Sequence, residues 1–253
     1  MKITTILPVS RIKYLDRVLD SLTKQTLKIT NLVVVFDGPD GEFVQVRNKV
    51  MELDIENKLC VPSPDGGQAH TIAERRWHIV RIHNQLRELI GDADWVFSIE
   101  DDGILPPNAL QDLRAVVSKH KDTGMVTGVE LGRWGIPYVG AWRVNDVNDP
   151  ETIESVESKV GKRLTEEIDG CGLYCALIRA DKYKEHTFDT VNGLGPDVNL
   201  GLYLRQQGFK NYIRWNIPVT HLTNRMNEEL EIPAASDSKV IKLTIARNGV
   251  WQQ

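Results

Sequence analysis

Residues 95–107 read Trp-Val-Phe-Ser-Ile-Glu-Asp-Asp-Gly-Ile-Leu-Pro-Pro, and no other stretch restricts the fold so tightly. Trp95 to Ile99 is a short, mostly apolar run that ends directly in Glu100, Asp101 and Asp102. A run of that length bounded by turn residues fits a strand buried on both faces. Three consecutive acids repel one another and must stay hydrated or share a cation. A hard divalent ion that takes oxygen ligands would meet that need, and a solvated acidic turn is the plainer alternative. Pro106-Pro107-Asn108 then suits the first turn of a helix, with Leu110, Leu113 and Val117 inward.

The same alternation runs along the chain. Ile3 to Val9 is a strand, after which Ile12, Leu15, Leu19 and Leu22 recur at helical spacing. Asn31 to Phe36 is too apolar for an edge strand, and it stops at the turn signal Asp37-Gly38-Pro39-Asp40-Gly41. Val61 to Gln68 is a Pro/Gly-rich loop, and a helix from Ala73 to near Gly91 carries Ile79, Ile82, Leu86 and Leu89 on one stripe. Met125 to Leu131 is a further strand. Strand alternating with helix predicts a three-layer α/β domain with a mostly parallel central sheet.

The pattern weakens from Gly132 to Glu167. Trp134, Tyr138 and Trp142 lie there among glycines, suited to core or to stacking on a sugar or base, and the charged piece from Asp149 to Glu167 reads as helical. Order returns with a strand from Gly172 to Ile178, a helix from Asp197 to Gln207 stopped by Gly208, and a strand from Asn211 to Thr220 ending at His221. Residues 223–253 show little period. The expected organisation is one domain over 1–222, with halves 1–131 and 132–222, followed by a C-terminal tail or lid.

A net charge of −4 in 253 residues does not advertise nucleic acid or an anionic membrane. No apolar run approaches the roughly 20 residues that span a bilayer. The segment Met1 to Pro8 lacks a signal-peptide pattern and reads as a strand, which predicts a cytoplasmic protein. Cys60, Cys171 and Cys175 are odd in number and wrongly spaced for a zinc pair, so reduced, packed thiols are expected.

Ligands of open α/β sheets sit at the carboxyl ends of strands. The strand ends here are Pro8-Val9-Ser10-Arg11, Asp37-Gly38, Glu100-Asp101-Asp102 and His221. Neither G-x-G-x-x-G nor a P-loop occurs, so a bound phosphate would be held by a metal ion and basic side chains.

In that order the motifs resemble the GT-A type of nucleotide-sugar-dependent glycosyltransferase, in its inverting, family-two-like branch. Leu7 to Arg11 with the helix from Tyr14 to Leu22 and Gln25-Thr26 is similar to the opening of that family. Val33 to Gly38 resembles its nucleobase strand, and Arg81 with Asn84 its Arg-Asn helix. Glu100-Asp101-Asp102 stands where the family has D-x-D, with Glu in the first place. Gly195-Pro196-Asp197, with Leu200, Leu204, Arg205 and Gly208, resembles the helix that opens with the catalytic carboxylate, where Pro196 replaces the usual Glu.

The resemblance implies a Rossmann-like GT-A fold and a Mn²⁺- or Mg²⁺-dependent transfer from a nucleotide-sugar donor, UDP by family precedent, to an acceptor hydroxyl with inversion. It implies Asp102 and His221 as metal ligands and Asp197 as general base. It implies donor contacts from Pro8, Val9, Ser10, Arg11, Asp37, Arg81, Asn84, Glu100, Asp101 and Gly172, with Arg76 a further basic candidate. Asp37 in a Gly-Pro turn and Asp197 at a helix start are also good turn and cap residues without any ligand. The acceptor stays open among a glycan, a lipid-linked sugar, a protein and a modified nucleic-acid base. The alternatives are a nucleotidyltransferase or sugar-nucleotide pyrophosphorylase, and a non-catalytic glycan- or nucleotide-sugar-binding module.

Overall fold

A computed structural model of the chain describes residues 1–64, 72–130, 139–190, 194–225, 228–232, 242–245 and 251–252. The first half contains β1 (Ile3–Val9), α1 (Leu15–Thr23), β2 (Asn31–Phe36), α2 (Phe43–Met51), β3 (Asn57–Pro62), α3 (Ile72–Leu89), β4 (Trp95–Ile99), β5 (Gly103–Ile104), α4 (Ala109–Lys119) and β6 (Thr123–Val129). There follow β7 (Ala141–Val144), β8 (Thr152–Ser155), β9 (Thr165–Ile168), β10 (Gly170–Cys171), β11 (Cys175–Arg179), α5 (Ala180–Glu185) and α6 (Pro196–Gln206). The chain closes with β12 (Lys210–Pro218), β13 (Thr220–Arg225), β14 (Glu228–Ile232), β15 (Lys242–Ile245) and β16 (Trp251–Gln252).

The central sheet has the order β3-β2-β1-β4-β11-β6-β12-β9. Only β11 and β9 run against the other six strands, so the sheet is mostly parallel. Its side chains alternate between two helical layers. Leu7, Val9, Val34, Phe36, Phe97 and Ile99 pack with the apolar stripes of α1, α2 and α4. Their neighbours in sequence, Ile6, Val33, Val35 and Val96, face α3, α5 and α6 on the opposite side. Strands covered on both faces need apolar residues at every position, which is why these runs show no polar alternation. Among the described residues no helix is long and apolar enough to cross a membrane.

Several expectations need correction. Residues 149–167 form β8 and β9 joined by irregular chain, not a helix. Pro150 and a Gly161 at φ +83° break helical geometry, and Thr152, Ile153 and Thr165 favour strand. Val61 belongs to β3 rather than to a loop, and α2 carried too weak a period to be read. Ile79 is 43% exposed, so the buried stripe of α3 runs through Val80, Ile82 and Leu86. β6 stops at Val129, two residues before the expected end. The expected last strand breaks at Val219, and His221 lies inside a separate strand, β13. Trp134 and Tyr138 lie outside the described residues. Trp142 packs with Ile153, Leu194, Val198 and Leu202, and Gly170 leaves room for its indole.

Residues 223–253 contribute strands to two smaller sheets. β13 pairs with β5 on one side and β14 on the other, and β15 extends a sheet of order β10-β7-β8-β15-β16.

Candidate active site

Sequence order in the sheet reverses at the β1/β4 pair, since β2 and β3 lie on one side and β4 on the other. A crevice opens at the carboxyl ends of such a pair. Here it is laced by Asp101, which is 4% exposed. Its Oδ2 accepts from the Ser10 N–H at 2.8 Å, the Ser10 hydroxyl at 3.0 Å and the Arg11 N–H at 3.0 Å. The Arg11 guanidinium bridges Asp101 and Asp102, at 2.5 Å from Asp102 Oδ2. These two acids lift the Arg11 pKa despite the opposing effect of burial. The side chain of Asp101 thus ties the two loops of the crevice together. Val9 is core, and its carbonyl accepts from the Asp37 N–H at 2.7 Å. Pro8 is half-buried beside it.

Asp102 is 2% exposed and looks across the crevice to His221, also 2% exposed. The reason is the pairing of β5 with β13. Gly103 faces His221 in register, and the Leu222 N–H donates to the Asp102 carbonyl at 2.7 Å. His221 Nε2 lies 3.1 Å from Asp102 Oδ1 and 3.4 Å from Glu130 Oε1. Neither ring nitrogen makes a hydrogen bond of acceptable geometry among the described residues. Burial alone would raise the Asp102 pKa, but His221 and Arg11 reverse this and hold the carboxyl below its ordinary range. Glu130, 6% exposed, goes the other way: burial, and then Asp102 and Asp197, push its carboxyl well above the usual value.

Asp37 ends β2 and is 4% exposed. His78 of α3 holds its Oδ2 at 2.6 Å through Nδ1, while Oδ1 makes no hydrogen bond among the described residues. Next to it, the Ser63 N–H donates to the Phe36 carbonyl at 2.7 Å. Arg81 is half-buried one turn after His78. Asn84 is committed elsewhere. Its amide donates to the Phe188 carbonyl at 2.9 Å and accepts from the Phe188 N–H at 3.0 Å, so it clamps α3 to the chain after α5.

Asp197 sits in the first turn of α6, with Pro196 at the helix start. An anion is favoured there by the helix dipole. Gly195 matters because a side chain on it would collide with the Asp197 carboxylate. Gly172 lies between β10 and β11, its N–H donating to the Gly140 carbonyl at 3.0 Å and its Cα closely covered by the Tyr174 ring.

One oxygen from each of Glu100 and Asp102 and one nitrogen of His221 all lie within 4.8 Å of one another. Two hard carboxylate oxygens suit Mn²⁺ or Mg²⁺, and an imidazole nitrogen is a common further metal ligand. The geometry at His221 supports the fit. Its Nε2 is buried within 3.1 Å of Asp102 Oδ1 and 3.4 Å of Glu130 Oε1, beside the oxygen that Glu100 brings to the group. Glu130 and His78 were missed in the sequence: Glu130 closes an apolar run as Glu100 does, whereas His78 carried no signal of its own.

No family model matches the chain, and no curated protein matches it. Solved structures do. GalNAc-T7 with UDP, GalNAc and Mn²⁺ aligns over 90% of this chain and 45% of its own, with TM-score 0.66 and 11% identity. TarS from S. aureus in complex with UDP aligns over 85% of this chain and 58% of its own, with TM-score 0.56 and 15% identity. A197 from STIV aligns over 95% and 93%, with TM-score 0.50 and 16% identity. The chain therefore spans about half the length of the first and somewhat more of the second. At these identities the likeness establishes the fold, which is GT-A.

Proposed function

We propose that this chain is a glycosyltransferase that moves a sugar from a nucleoside diphosphate donor, UDP in the first instance, to an acceptor hydroxyl, with inversion and with a divalent cation. The observation that carries the reading is the convergence of Glu100, Asp102 and His221 at the switch point of a GT-A sheet. The structural neighbours support the donor class, since GalNAc-T7 was solved with UDP and Mn²⁺ and TarS with UDP and with UDP-GlcNAc.

Asp102 and His221 would hold the ion, and Glu100 would reach either the ion or the donor ribose. When bound, Mn²⁺ or Mg²⁺ neutralises charge that grows on the departing diphosphate. Asp37 presents the buried Oδ1 to an N–H of the base, with its other oxygen pinned by His78. The Arg11 guanidinium, already at the acids, supplies positive charge beside the phosphates. Asp197 takes the proton of the acceptor hydroxyl as that oxygen bonds to the anomeric carbon. The anomeric carbon–phosphate oxygen bond breaks in the same displacement, its electron pair leaves with the nucleoside diphosphate, and the configuration inverts. Residues 132–222 would face the acceptor and residues 223–253 would brace or cover the site. A glycan, a lipid-linked sugar, a protein or a modified base could each present the hydroxyl.

The test is a thermal-shift series of UDP, other nucleoside diphosphates and nucleotide sugars, with and without Mn²⁺. A ligand bound only by the folded state raises the melting temperature by linkage. Stabilisation by UDP that requires Mn²⁺ is expected, and no response to any of them would sink the proposal. Pyrophosphate release from a nucleoside triphosphate would make the chain a nucleotidyltransferase, and donor binding without turnover a binding module.

A further inference from the structure

We infer that the Ser63 hydroxyl is a second base-reading group beside Asp37, an inference that rests on the nucleotide reading just given. Both residues lie one position past the last register pair of β2 and β3, Phe36 with Pro62. Side chains alternate along these strands. Val34, Phe36 and Cys60 pack in the layer of α1, α2 and α4, whereas Val33, Val35 and Val61 pack on the side of α3. Continued by one residue, the alternation carries Asp37 and Ser63 together to the α3 side. The contacts of α3 agree with this: His78 holds Asp37 Oδ2 at 2.6 Å, and the Gln85 amide donates to the Pro62 carbonyl at 3.0 Å. The backbone is fixed as well. The Asp37 N–H donates to the Val9 carbonyl and the Ser63 N–H to the Phe36 carbonyl, each at 2.7 Å.

Each of these side chains keeps one buried polar atom without a hydrogen bond among the described residues, Asp37 Oδ1 and Ser63 Oγ. Asp37 is 4% exposed and Ser63 7%. A buried polar atom without a partner costs stability, and two at adjacent strand ends mark a place where a ligand supplies the partners. Their chemistry is complementary. A carboxylate only accepts, so Oδ1 takes an N–H. A hydroxyl also donates, so Oγ can serve the acceptor that flanks that N–H on a base edge. The imide edge of uracil, an N–H between two carbonyls, offers that sequence. Two adjacent contacts also fix the orientation of the base in its plane, which a single contact leaves free.

The experiment is calorimetry in the presence of Mn²⁺ on the full chain, with UDP and with the base-free ribose 5-diphosphate. Wild type, Ser63→Ala and Ser63→Cys are compared, and each is also melted without ligand. Ser63→Ala should weaken UDP by about 2- to 10-fold, the worth of one neutral hydrogen bond, and leave ribose 5-diphosphate unchanged. Without ligand it should melt at or above the wild-type temperature, because the hydroxyl it removes has no hydrogen bond among the described residues. Ser63→Cys, close in size but a weak donor, should weaken UDP in the same sense and covers the case in which alanine disturbs the fold. Wild-type UDP affinity in a folded Ser63 variant would overturn the inference and leave the nucleotide reading intact. An equal loss for both ligands would also overturn it, since Ser63 would then shape the site as a whole and not read the base. Wild type that binds neither ligand overturns the nucleotide reading beneath it.

Discussion

At the residue scale, the roles proposed for Asp197 and Asp37 can be separated by experiment. Asp197→Asn should cut turnover by about 10²–10⁴-fold, the usual contribution of a general base. It should leave Mn²⁺-dependent stabilisation by UDP unchanged, because Asp197 sits on α6 and not among the ligands. Loss of the stabilisation together with the rate would place it in donor binding instead. Asp37→Asn puts an amide against His78 and, in one orientation, a donor toward the base. Calorimetry should show UDP affinity reduced by about ten-fold or more, the cost of one buried charge-assisted hydrogen bond. His78→Phe should weaken UDP in the same direction by freeing the Asp37 carboxylate, and unchanged affinity in both variants would remove this pair from the nucleotide slot. Asp102, Asp37 and His221 were legible because each ends or follows an apolar run in the sequence. His78 was not, since its meaning comes from a helix face that meets the end of β2 only after folding. Asn84 was legible as a polar residue on the right helix, but the sequence cannot show that Phe188 takes both ends of its amide.

At the scale of elements, close backbone contact decides what is tolerated. A Cβ at Gly201 in α6 would lie 2.9 Å from Gly170 Cα and 3.0 Å from the Asp169 carbonyl oxygen, both backbone atoms of or beside β10. Gly201→Ala should therefore cost about 1–3 kcal/mol in urea unfolding, by overpacking, and should shift α6 and with it Asp197. Unchanged stability would mean that α6 seats more loosely than its contacts indicate. The elements β1, β2, β4, α1 and α4 were legible because each is buried by its own periodicity. β8 and β9 were not, because their charges sit at the spacing of an exposed helix and only pairing with neighbouring strands selects the extended form. Likewise the split of β12 from β13 has no local signal beyond Pro218. It is imposed by β13 leaving the large sheet to pair with β5.

For the molecule as a whole, acid sensitivity follows from two histidines behind the site. Burial lowers His83 to about 3, aided by His186, and burial lowers His186 to about 4. His83 Nδ1 lies 2.7 Å from the Tyr183 hydroxyl, and the ring stacks on Phe188 with centroids 5.0 Å apart. In the unfolded chain both rings take up a proton near pH 6.5, whereas the folded protein holds them neutral. The unfolded state thus binds more protons from about pH 6.5 down to about 4, and stability falls as pH drops through that window. The slope approaches about 1.4 kcal/mol per pH unit for each histidine. Urea midpoints at pH 7 and pH 5 should show the loss, and His83→Gln should reduce it. An identical loss in that variant would show that other groups control acid unfolding.

The strand that carries His221 has a consequence for how the protein comes into being. Asp37, His78 and the acid turn all belong to the first half of the chain, but the imidazole arrives only when β13 closes on β5. A nascent or partly folded chain that has not yet paired these strands has no complete set of candidate cation ligands. Under the proposed function, cation affinity is therefore a gauge of finished assembly, and a chain caught half-made would lack the imidazole on which metal-dependent donor binding relies.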